Sequence, residues 1–342
     1  MGGVIRFVEA SPSQRRLCLA VATAAGALAE LPGVQVRLGL AEGPALESEA
    51  PFLPGARYRM DDVARSIVGL EPVLVGRSYG EARASLAGHP GLAPEARWAV
   101  ECALWSGDAA ARGCSLATAL SGRPAPFPPV RTNALAVAAS PDGLEREVAA
   151  LVAAGEHTVK IKVGAGTLAA DRDRVAAARS AGGDALALRL DANAAWDAAE
   201  AERRLAAFAR YHPEAVEQPV SAGDLAGLAR VRMRAPMPVL ADESARDPAA
   251  ARAVIAARAV DGLVLKAPTL SGTAETTAIV EAARDAGMSV ILSSLFDRGT
   301  SLAVQVALAA SLELPGSHGL ATAALLEDAA GGPYAACGEI RP

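Results

Sequence analysis

From about residue 131 onward, short apolar segments alternate with amphipathic segments. The apolar segments are rich in Val, Ile and Leu, which predicts buried strands, and the segments between them have the pattern of helices. The predicted strands are Asn133–Ala138, Thr158–Val163, Leu186–Leu190, Ala215–Val216, Val239–Leu240, Gly262–Leu265 and Ser289–Leu292. The predicted helices cover 142–154, 168–180, 197–209, 222–232, 247–258, 272–286 and 299–311. Strand–helix alternation of this kind is typical of parallel βα units.

Polar residues recur at the predicted strand ends at a steady interval. The spacings are 29, 26, 25, 24 and 28 residues along the series Lys162, Asp191, Glu217, Asp242, Lys266 and Ser294. A (β/α) barrel gathers the carboxyl ends of its strands around one mouth, where its active site lies. A doubly wound open sheet is the alternative, but such a sheet usually binds its ligand at one switch point. The repeated spacing therefore favours a barrel.

Three carboxylates follow successive predicted strands, at Asp191, Glu217 and Asp242. Neighbouring strand ends lie close together in a barrel, so these groups would repel each other unless a cation lies between them. An all-oxygen ligand set suits Mg²⁺ best, with Mn²⁺ as the alternative. Zinc is disfavoured because neither Cys nor His occurs at these strand ends. The competing interpretation is that each carboxylate caps the helix that follows it.

Lysine is almost absent, since thirty of the 33 basic residues are arginine. The three lysines are Lys160, Lys162 and Lys266, and all lie near the ends of predicted buried strands. Codon bias explains the preference for arginine, but it does not explain these positions. A buried lysine is costly unless it is paired, and lysine, unlike arginine, can lose its proton when desolvated. We therefore expect amines that change protonation state, with snorkelling surface lysines as the alternative.

The order of lysines and carboxylates predicts a class of reaction. A metal that binds a substrate carboxylate makes its α-proton more acidic, because it stabilises the enediolate formed when that proton is lost. A lysine with a lowered pKa is a suitable base. Lys160 supplies the like charge expected to lower the pKa of Lys162. The sequence thus predicts proton abstraction α to a carboxylate, on a small-molecule carboxylate substrate.

Residues before the barrel predict a separate α+β domain. Short strands are expected at Val4–Val8 and Val34–Leu40, and a loop over the barrel mouth is expected at Glu42–Ala56. Helices are expected at Met60–Leu70, Ser78–Ala87 and Ala93–Ala111. Four prolines in 122–129 favour a domain boundary there. The predicted division is a capping domain over 1–128 and a barrel over 129–324, with the tail at about 325–342 a candidate to rejoin the cap.

Composition argues against several partners. The net charge of -5 and the 4% aromatic content disfavour nucleic-acid binding. No apolar stretch is long enough to span a bilayer, and no secretory signal is apparent. The four cysteines are scattered, which is typical of reduced thiols. We expect a cytoplasmic enzyme with no nucleic-acid or membrane partner.

The chain resembles the enolase superfamily, in its muconate-lactonizing-enzyme-like branch. The motifs that carry the resemblance are Lys160-Ile-Lys162, Asp191-Ala-Asn193, Glu217-Gln-Pro219, Asp242-Glu-Ser244, Lys266 and the helix from Ala93 to Ala103. Within the branch it is most similar to the o-succinylbenzoate synthases. The less specific pointers to these are Arg189–Trp196, Lys266-Ala-Pro268, Ser293-Ser294 and His318–Thr322.

The resemblance implies an α/β fold, a (β/α)₇β TIM-like barrel with an α+β capping domain. It implies Mg²⁺ bound by Asp191, Glu217 and Asp242. It implies that Lys162 removes the α-proton and then helps the hydroxyl leave as water, while the charge of Lys266 stabilises the enediolate. The implied product is o-succinylbenzoate, formed from 2-succinyl-6-hydroxy-2,4-cyclohexadiene-1-carboxylate in menaquinone biosynthesis.

Further positions are implied as second-shell or substrate-binding residues, namely Lys160, Arg189, Asn193, Glu243, Ser293 and Ser294. One departure from the family is the segment Leu295–Ser301, where Phe296 and Arg298 are expected to alter the substrate pocket. The sequence does not fix the position of the family's substrate-covering loop within Ala10–Glu30.

Other functions remain open at this point. An N-succinylamino acid racemase or a dipeptide epimerase would use the same residues, with both lysines acting as bases. A non-catalytic barrel that only binds ligands is a remote alternative, because no lysine or carboxylate of the set is missing. A homo-oligomer is compatible with the resemblance and is not decided by the sequence.

Overall fold

The computed structural model describes residues 3–23, 26–53, 57–327 and 337–342. Its first three strands form an antiparallel sheet, with β1 at Ile5–Thr23, β2 at Gly26–Leu40 and β3 at Leu46–Pro51. Five helices follow, namely α1 (Met60–Val68), α2 (Glu71–Leu74), α3 (Tyr79–Ala87), α4 (Pro94–Arg112) and α5 (Leu116–Ser121). Apolar side chains of the sheet and of α1 to α4 form one buried cluster. This region is the α+β cap that the sequence predicts.

The second region is a parallel sheet wrapped by helices. After β4 (Val130–Arg131), its strands are β5 (Ala134–Ala136), β6 (Thr158–Lys162), β7 (Ala187–Asp191), β8 (Ala215–Glu217), β9 (Val239–Ala241), β10 (Gly262–Leu265) and β11 (Ser289–Leu292). Strands β5 to β11 are hydrogen-bonded in sequence order. The helices are α6 (Pro141–Ala153), α7 (Leu168–Gly182), α8 (Ala198–Phe208), α9 (Leu225–Arg234), α10 (Pro248–Ala257), α11 (Thr273–Asp285) and α12 (Gly299–Ser311). Every predicted barrel strand and helix is confirmed, with shifts only at its ends.

A short segment near residue 318 closes the sheet into a barrel. The N–H groups of His318 and Gly319 donate to the carbonyls of Arg131 and Leu292, at 2.9 and 2.8 Å. Parallel bridges join the segment to Thr132 on one side and to the end of β11 on the other. The segment therefore takes the eighth strand position, and the predicted (β/α)₇β barrel is confirmed. No helix among the described residues is long and apolar enough to cross a membrane.

Helix α4 joins the cap to the barrel. It begins at Pro94, where a missing N–H costs nothing because the first-turn donors have no partner within the helix. It ends before Gly113, which adopts the left-handed conformation (φ 62°) that favours glycine. The buried Trp98 on this helix donates its indole N–H to Ser301 Oγ in the barrel, at 2.7 Å. The cap is thus fixed to the barrel by a buried contact.

Two predictions for the cap were wrong. Strands β1 and β2 are much longer than Val4–Val8 and Val34–Leu40, because they pair with each other over most of their length. The segment Glu42–Ala56 is not all loop, since β3 pairs with β2 from Leu46 to Pro51. Residues 54–56 of that segment lie outside the described residues.

The tail contacts both regions, and the predicted limits of 1–128 and 129–324 stay a prediction. Leu326 bridges to Leu17 of β1, while β12 (Glu339–Ile340) pairs with β4 next to the barrel. Residues 328–336 lie outside the described part of the tail.

The closing segment carries a buried histidine that we predict makes stability depend on pH. His318 Nδ1 accepts the N–H of Leu292 at 3.1 Å, and burial lowers the pKa of this side chain to about 4. The unfolded chain, with an ordinary histidine pKa near 6.5, binds more protons between these two values. The free energy of unfolding should therefore rise by up to about 3 kcal/mol from pH 4 to pH 6.5.

Substitution of the histidine tests this prediction by urea denaturation across that pH range. In His318→Asn the amide oxygen can accept the same N–H without titrating, so the rise should shrink. The matched control is His212→Asn, at an exposed position whose positive φ (46°) suits asparagine. An equal pH slope in wild type and His318→Asn would contradict the assignment.

Candidate active site

The register of the parallel strands brings the predicted acidic and basic residues to one end of the barrel. Lys162 lies in register with Asp191, and Asp191 lies in register with Glu217. Asp242 and Lys266 directly follow β9 and β10. All five residues lie at carboxyl ends of strands, the end at which barrels carry their active sites.

The three carboxylates are not helix caps. The N-cap residues of helices α8, α9 and α10 are Asp197, Asp224 and Asp247, and each of these side chains accepts a backbone N–H of the first turn. Capping is therefore done by other residues, which lie six, seven and five positions later in the sequence than the strand-end carboxylates. The capping interpretation is wrong for this set.

Two lysines neutralise the carboxylates at the barrel mouth. Lys160 Nζ lies 3.2 Å from Asp191 Oδ2 and donates to both carboxylate oxygens of Glu217 at 3.2 Å. Lys266 Nζ donates to both oxygens of Asp242 at 2.6 Å. The side chains of all three carboxylates are 7% exposed or less, so each ion pair is largely shielded from water.

Burial and mutual repulsion decide the charges of this cluster. Burial, assisted by Asp191 and Asp242, raises the pKa of Glu217 to about 8 despite the opposing charge of Lys160. Burial by itself would lower the pKa of both Lys160 and Lys266. The surrounding carboxylates outweigh burial and raise both pKa values. These two lysines therefore stay protonated.

Lys162 behaves in the opposite way. Burial lowers its pKa first, and the positive charges of Lys160 and Lys266 lower it further. The direction agrees with the sequence-based expectation, but burial rather than Lys160 is the larger cause. Its Nζ donates to Asn193 Oδ1 at 2.6 Å, and Asn193 Nδ2 donates to Glu243 Oε1 at 3.3 Å. This chain of contacts orients the amine that most readily loses its proton.

Gln218 is a positioning residue that sequence reasoning did not single out. It is fully buried with a positive φ of 39°, and its Oε1 accepts the N–H groups of Asp242 and Ser244 at 3.0 Å. Its Nε2 donates to Ser244 Oγ at 2.8 Å. Gln218 thus ties the end of β8 to the end of β9. The available signal was a polar residue between a strand-end carboxylate and a proline.

The donor set suits a hard cation, but only after rearrangement. Three carboxylates on neighbouring strands offer the oxygen ligands that Mg²⁺ prefers. As the side chains lie, no group of three acidic, His or Cys side chains in the described residues is arranged around one metal position. A cation would have to replace the Lys160 and Lys266 ammonium groups in their ion pairs. Burial and the neighbouring Asp191 and Asp242 both raise the pKa of Glu217, and a divalent cation among the three carboxylates would offset their mutual repulsion.

Arg189 is not brought to this cluster. It lies two residues before Asp191 on the same strand, and its guanidinium turns towards the opposite end of the barrel. It donates to Glu214 Oε2 at 2.7 Å, to the Ser317 carbonyl at 2.7 Å and to Asn133 Oδ1 at 3.3 Å. These contacts assign Arg189 to barrel packing, and they do not support the expected place beside the substrate.

Ser293 and Ser294 lie where β11 meets the closing segment. Ser293 bridges to Gly319, and a Cβ at Gly319 would lie 2.5 Å from Ser293 Oγ, so the close approach requires glycine. The Ser294 hydroxyl is hydrogen-bonded to Thr322. Both serines are buried at the mouth end of the barrel.

A cavity of about 660 Å³ lies between the cap and the barrel mouth. Asp242, Glu243 and Lys266 line it from the barrel. The cap contributes the last residue of β3, residues that follow it and the first residues of α4, namely Pro51, Phe52, Leu53, Arg57, Tyr58, Pro94 and Glu95. The expectation that the segment around residue 50 lies over the mouth is thus confirmed, and the cavity is the natural place for a substrate.

Comparison with known families agrees with this geometry. The family model described as Enolase C-terminal domain-like matches residues 143–334, more than half of the chain. The chain belongs to the enolase superfamily, in its muconate-lactonizing-enzyme-like branch.

Relatives within the superfamily differ in reaction. An o-succinylbenzoate synthase of Thermobifida fusca is 39% identical over 66% of this chain and 68% of its own length. An L-Ala-D/L-Glu epimerase of Bacillus subtilis is 32% identical over 71% of this chain and 67% of its own length. A dipeptide epimerase from Enterococcus faecalis, solved with Mg and L-Leu-L-Tyr, is 25% identical, with a TM-score of 0.89 over 99% of this chain and 97% of that one. Relatives of comparable identity to this chain thus differ in the reaction for which they are named.

The electrostatics of the mouth generate a prediction that requires no substrate. In Lys160→Met, the carboxylates of Asp191 and Glu217 lose their shared counter-ion. Removing one partner of a buried pair costs about 3–5 kcal/mol, so the free energy of unfolding should fall by that order in EDTA. If the carboxylates bind Mg²⁺, added Mg²⁺ should restore most of the loss. Chemical denaturation with and without Mg²⁺ measures both effects.

The matched control for this prediction is Arg203→Met, which removes an exposed helical ion pair with Glu200. Such pairs contribute about 0.3–0.5 kcal/mol, and Mg²⁺ should not change the result. A Lys160→Met protein as stable as the control in EDTA would show that the carboxylates do not need this counter-ion.

Proposed function

We propose that this chain is a cytoplasmic lyase of menaquinone biosynthesis. It would remove the proton α to the carboxylate of 2-succinyl-6-hydroxy-2,4-cyclohexadiene-1-carboxylate and eliminate water to form o-succinylbenzoate. The observation that carries the proposal is the contrast between two lysines at one barrel mouth. Burial and like charges lower the pKa of Lys162, whereas carboxylates raise that of Lys266. The 39% identity to an o-succinylbenzoate synthase supports the specific reaction.

The proposed roles follow from these charges. Neutral Lys162 takes the α-proton, and Asn193 holds its amine in place. The resulting ammonium returns that proton to the departing hydroxyl, which leaves as water while the ring becomes aromatic. Protonated Lys266 stabilises the negative charge that develops on the substrate carboxylate. Mg²⁺, with Mn²⁺ as the alternative, would be held by Asp191, Glu217 and Asp242 and would supply further stabilisation of that charge.

Two arginines in the cavity lining suit a substrate with a second carboxylate. Arg57 and Arg246 both line the cavity, and neither forms an ion pair with any of the described residues. Phe52, Leu53 and Leu295 add apolar side chains to the lining of the same cavity. The succinyl carboxylate of the proposed substrate would meet this positive charge.

A spectrophotometric assay tests the reaction directly. Purified protein with Mg²⁺ should rapidly consume the diene absorbance of the proposed substrate, and EDTA should abolish turnover. Lys162→Ala should lower kcat by about 10²–10⁴-fold, because a positioned general base contributes an effect of this size. A folded protein that binds Mg²⁺ and still gives no turnover would overturn the proposed reaction.

The second candidate is an N-succinylamino acid racemase or dipeptide epimerase, favoured by the 32% identity to an epimerase. Both lysines would then act as bases on opposite faces of the α-carbon. This activity predicts deuterium incorporation at the α-carbon in D₂O, whereas the proposed dehydration is irreversible. Measuring both reactions on one preparation separates the two. A purely binding barrel is disfavoured because the whole set of lysines and carboxylates is present.

We predict that Arg246 contributes to substrate binding rather than to chemistry. Arg246→Gln should raise KM for the succinylated substrate by about tenfold, as expected for the loss of one charged contact, and should leave kcat nearly unchanged. The matched control is Arg252→Gln, which removes an exposed arginine paired with Glu275. Equal KM values in the two variants would place the distal carboxylate elsewhere.

A further inference from the structure

The cap hairpin of β1 and β2 carries a completely buried cation. Arg15 on β1 is 1% exposed. Its Nη1 donates to the carbonyls of Phe296 at 2.6 Å and Leu295 at 3.3 Å, and its Nη2 donates to the Pro32 carbonyl at 3.0 Å. The guanidinium therefore links β1, β2 and the barrel segment that follows β11. Arginine suits this task because its planar fork presents several donors in fixed directions.

The negative charge opposite Arg15 comes from another cap strand. Glu49 on β3 is also buried, and its Oε1 lies 3.6 Å from Arg15 Nε. The other oxygen of Glu49 lies 3.4 Å from Nε of Arg298, a residue that the sequence marks as a departure from the family. A buried charge is stable only when it is paired. Separating the cap sheet from the 295–298 segment would leave buried charges unpaired, at a large cost in free energy.

The segment that Arg15 holds is also fixed from the barrel side. Asp297 Oδ2 accepts the N–H of Leu295 at 2.7 Å, and its Oδ1 accepts the Ser301 hydroxyl at 2.5 Å. Phe296 between them has a left-handed φ of 58°, a conformation that a bulky residue adopts only under constraint. Its side chain packs against the buried cluster formed by Leu17, Leu28 and Leu31 of the hairpin and by Leu326. The backbone at 295–297 is thus held on both sides in a conformation it would not adopt alone.

Holding the backbone at 295–297 in place also fixes part of the cavity wall. Leu295 is buried and lines the same cavity as Lys266 and Asp242. We propose that Arg15 is a positioning residue for substrate binding, because by holding the Leu295 and Phe296 carbonyls it fixes Leu295 as a wall of the substrate cavity. Arg15 itself does not line the cavity, so it acts through Leu295. The inference rests on the proposed function only in taking this cavity as the substrate site.

Steady-state kinetics of Arg15→Met test this role. The variant keeps an unbranched apolar stem but removes the guanidinium, and with it the charge and all three hydrogen bonds. KM should rise by about tenfold or more while kcat stays within about threefold, because a displaced wall weakens binding without altering the lysines. Arg15→Lys keeps the charge and should recover part of the KM. The matched control is Arg16→Met, which removes an exposed neighbour paired with Glu30 and should leave KM unchanged.

A double-variant cycle separates this role from general destabilisation. Leu295→Ala removes the wall directly, so adding Arg15→Met to it should change KM little further. Hydrogen exchange at the Leu295 amide should also speed up in Arg15→Met and not in Arg16→Met. If Arg15→Met does not fold, Arg15→Lys takes its place in the same cycle.

The outcomes also distinguish this proposal from the proposed function. The kinetics use whichever class the wild type turns over, the succinylated diene or the N-succinylamino acids and dipeptides. Turnover of the second class alone overturns the dehydration and leaves the Arg15 test intact. If the wild type turns over neither substrate class, hydrogen exchange at the Leu295 amide becomes the test. An exchange rate in Arg15→Met equal to that of the wild type then overturns the proposal. Where kinetics are available, equal KM in Arg15→Met and Arg16→Met, or fully additive effects with Leu295→Ala, also overturns it.

Discussion

Three carboxylates buried side by side at one barrel mouth set the main physical constraint on this molecule. They repel one another and are shielded from water, so the fold is stable only if positive charge is placed among them. Lys160 and Lys266 supply that charge through direct ion pairs. The same arrangement leaves Lys162 as the amine that is easiest to deprotonate. The concentration of the chain's lysines at this one place is thus a consequence of electrostatics as well as of chemistry.

The barrel and its charged cluster could be predicted from the sequence because both follow from local periodicity. Each buried strand is short, apolar and bounded by a helix with a clear start, so its carboxyl end is defined within a residue or two. Asp191 and Glu217 each close such a strand, which is why their register could be anticipated. Alternation predicts the face of the strand on which a side chain lies, but it does not predict towards which end of the barrel the side chain extends. Arg189 shares a strand face with Asp191 and yet makes its contacts near the opposite end.

The cap was predicted less well because its structure depends on partners distant in sequence. β3, in Leu46–Pro51, contains two glutamates and has little intrinsic strand character, and it is a strand because β2 offers it a paired edge. Gln218 and Arg15 act through hydrogen bonds to backbone groups, and the sequence does not show which backbone groups these are. Both are polar residues within otherwise apolar surroundings. Their roles become visible only once the backbones that they join have been placed.

The barrel is closed by a segment of very few residues that follows its last helix, α12. His318 is joined to Arg131 and Asn133 on one side, and Gly319 to Leu292 and Ser294 on the other, by two backbone hydrogen bonds each. During synthesis on a ribosome, the ring cannot close until these residues have emerged. Until that moment β5 and β11 both present open edges, and the acidic mouth has no complete wall around it. The order of translation therefore places closure of the barrel mouth after the synthesis of all seven strands from β5 to β11.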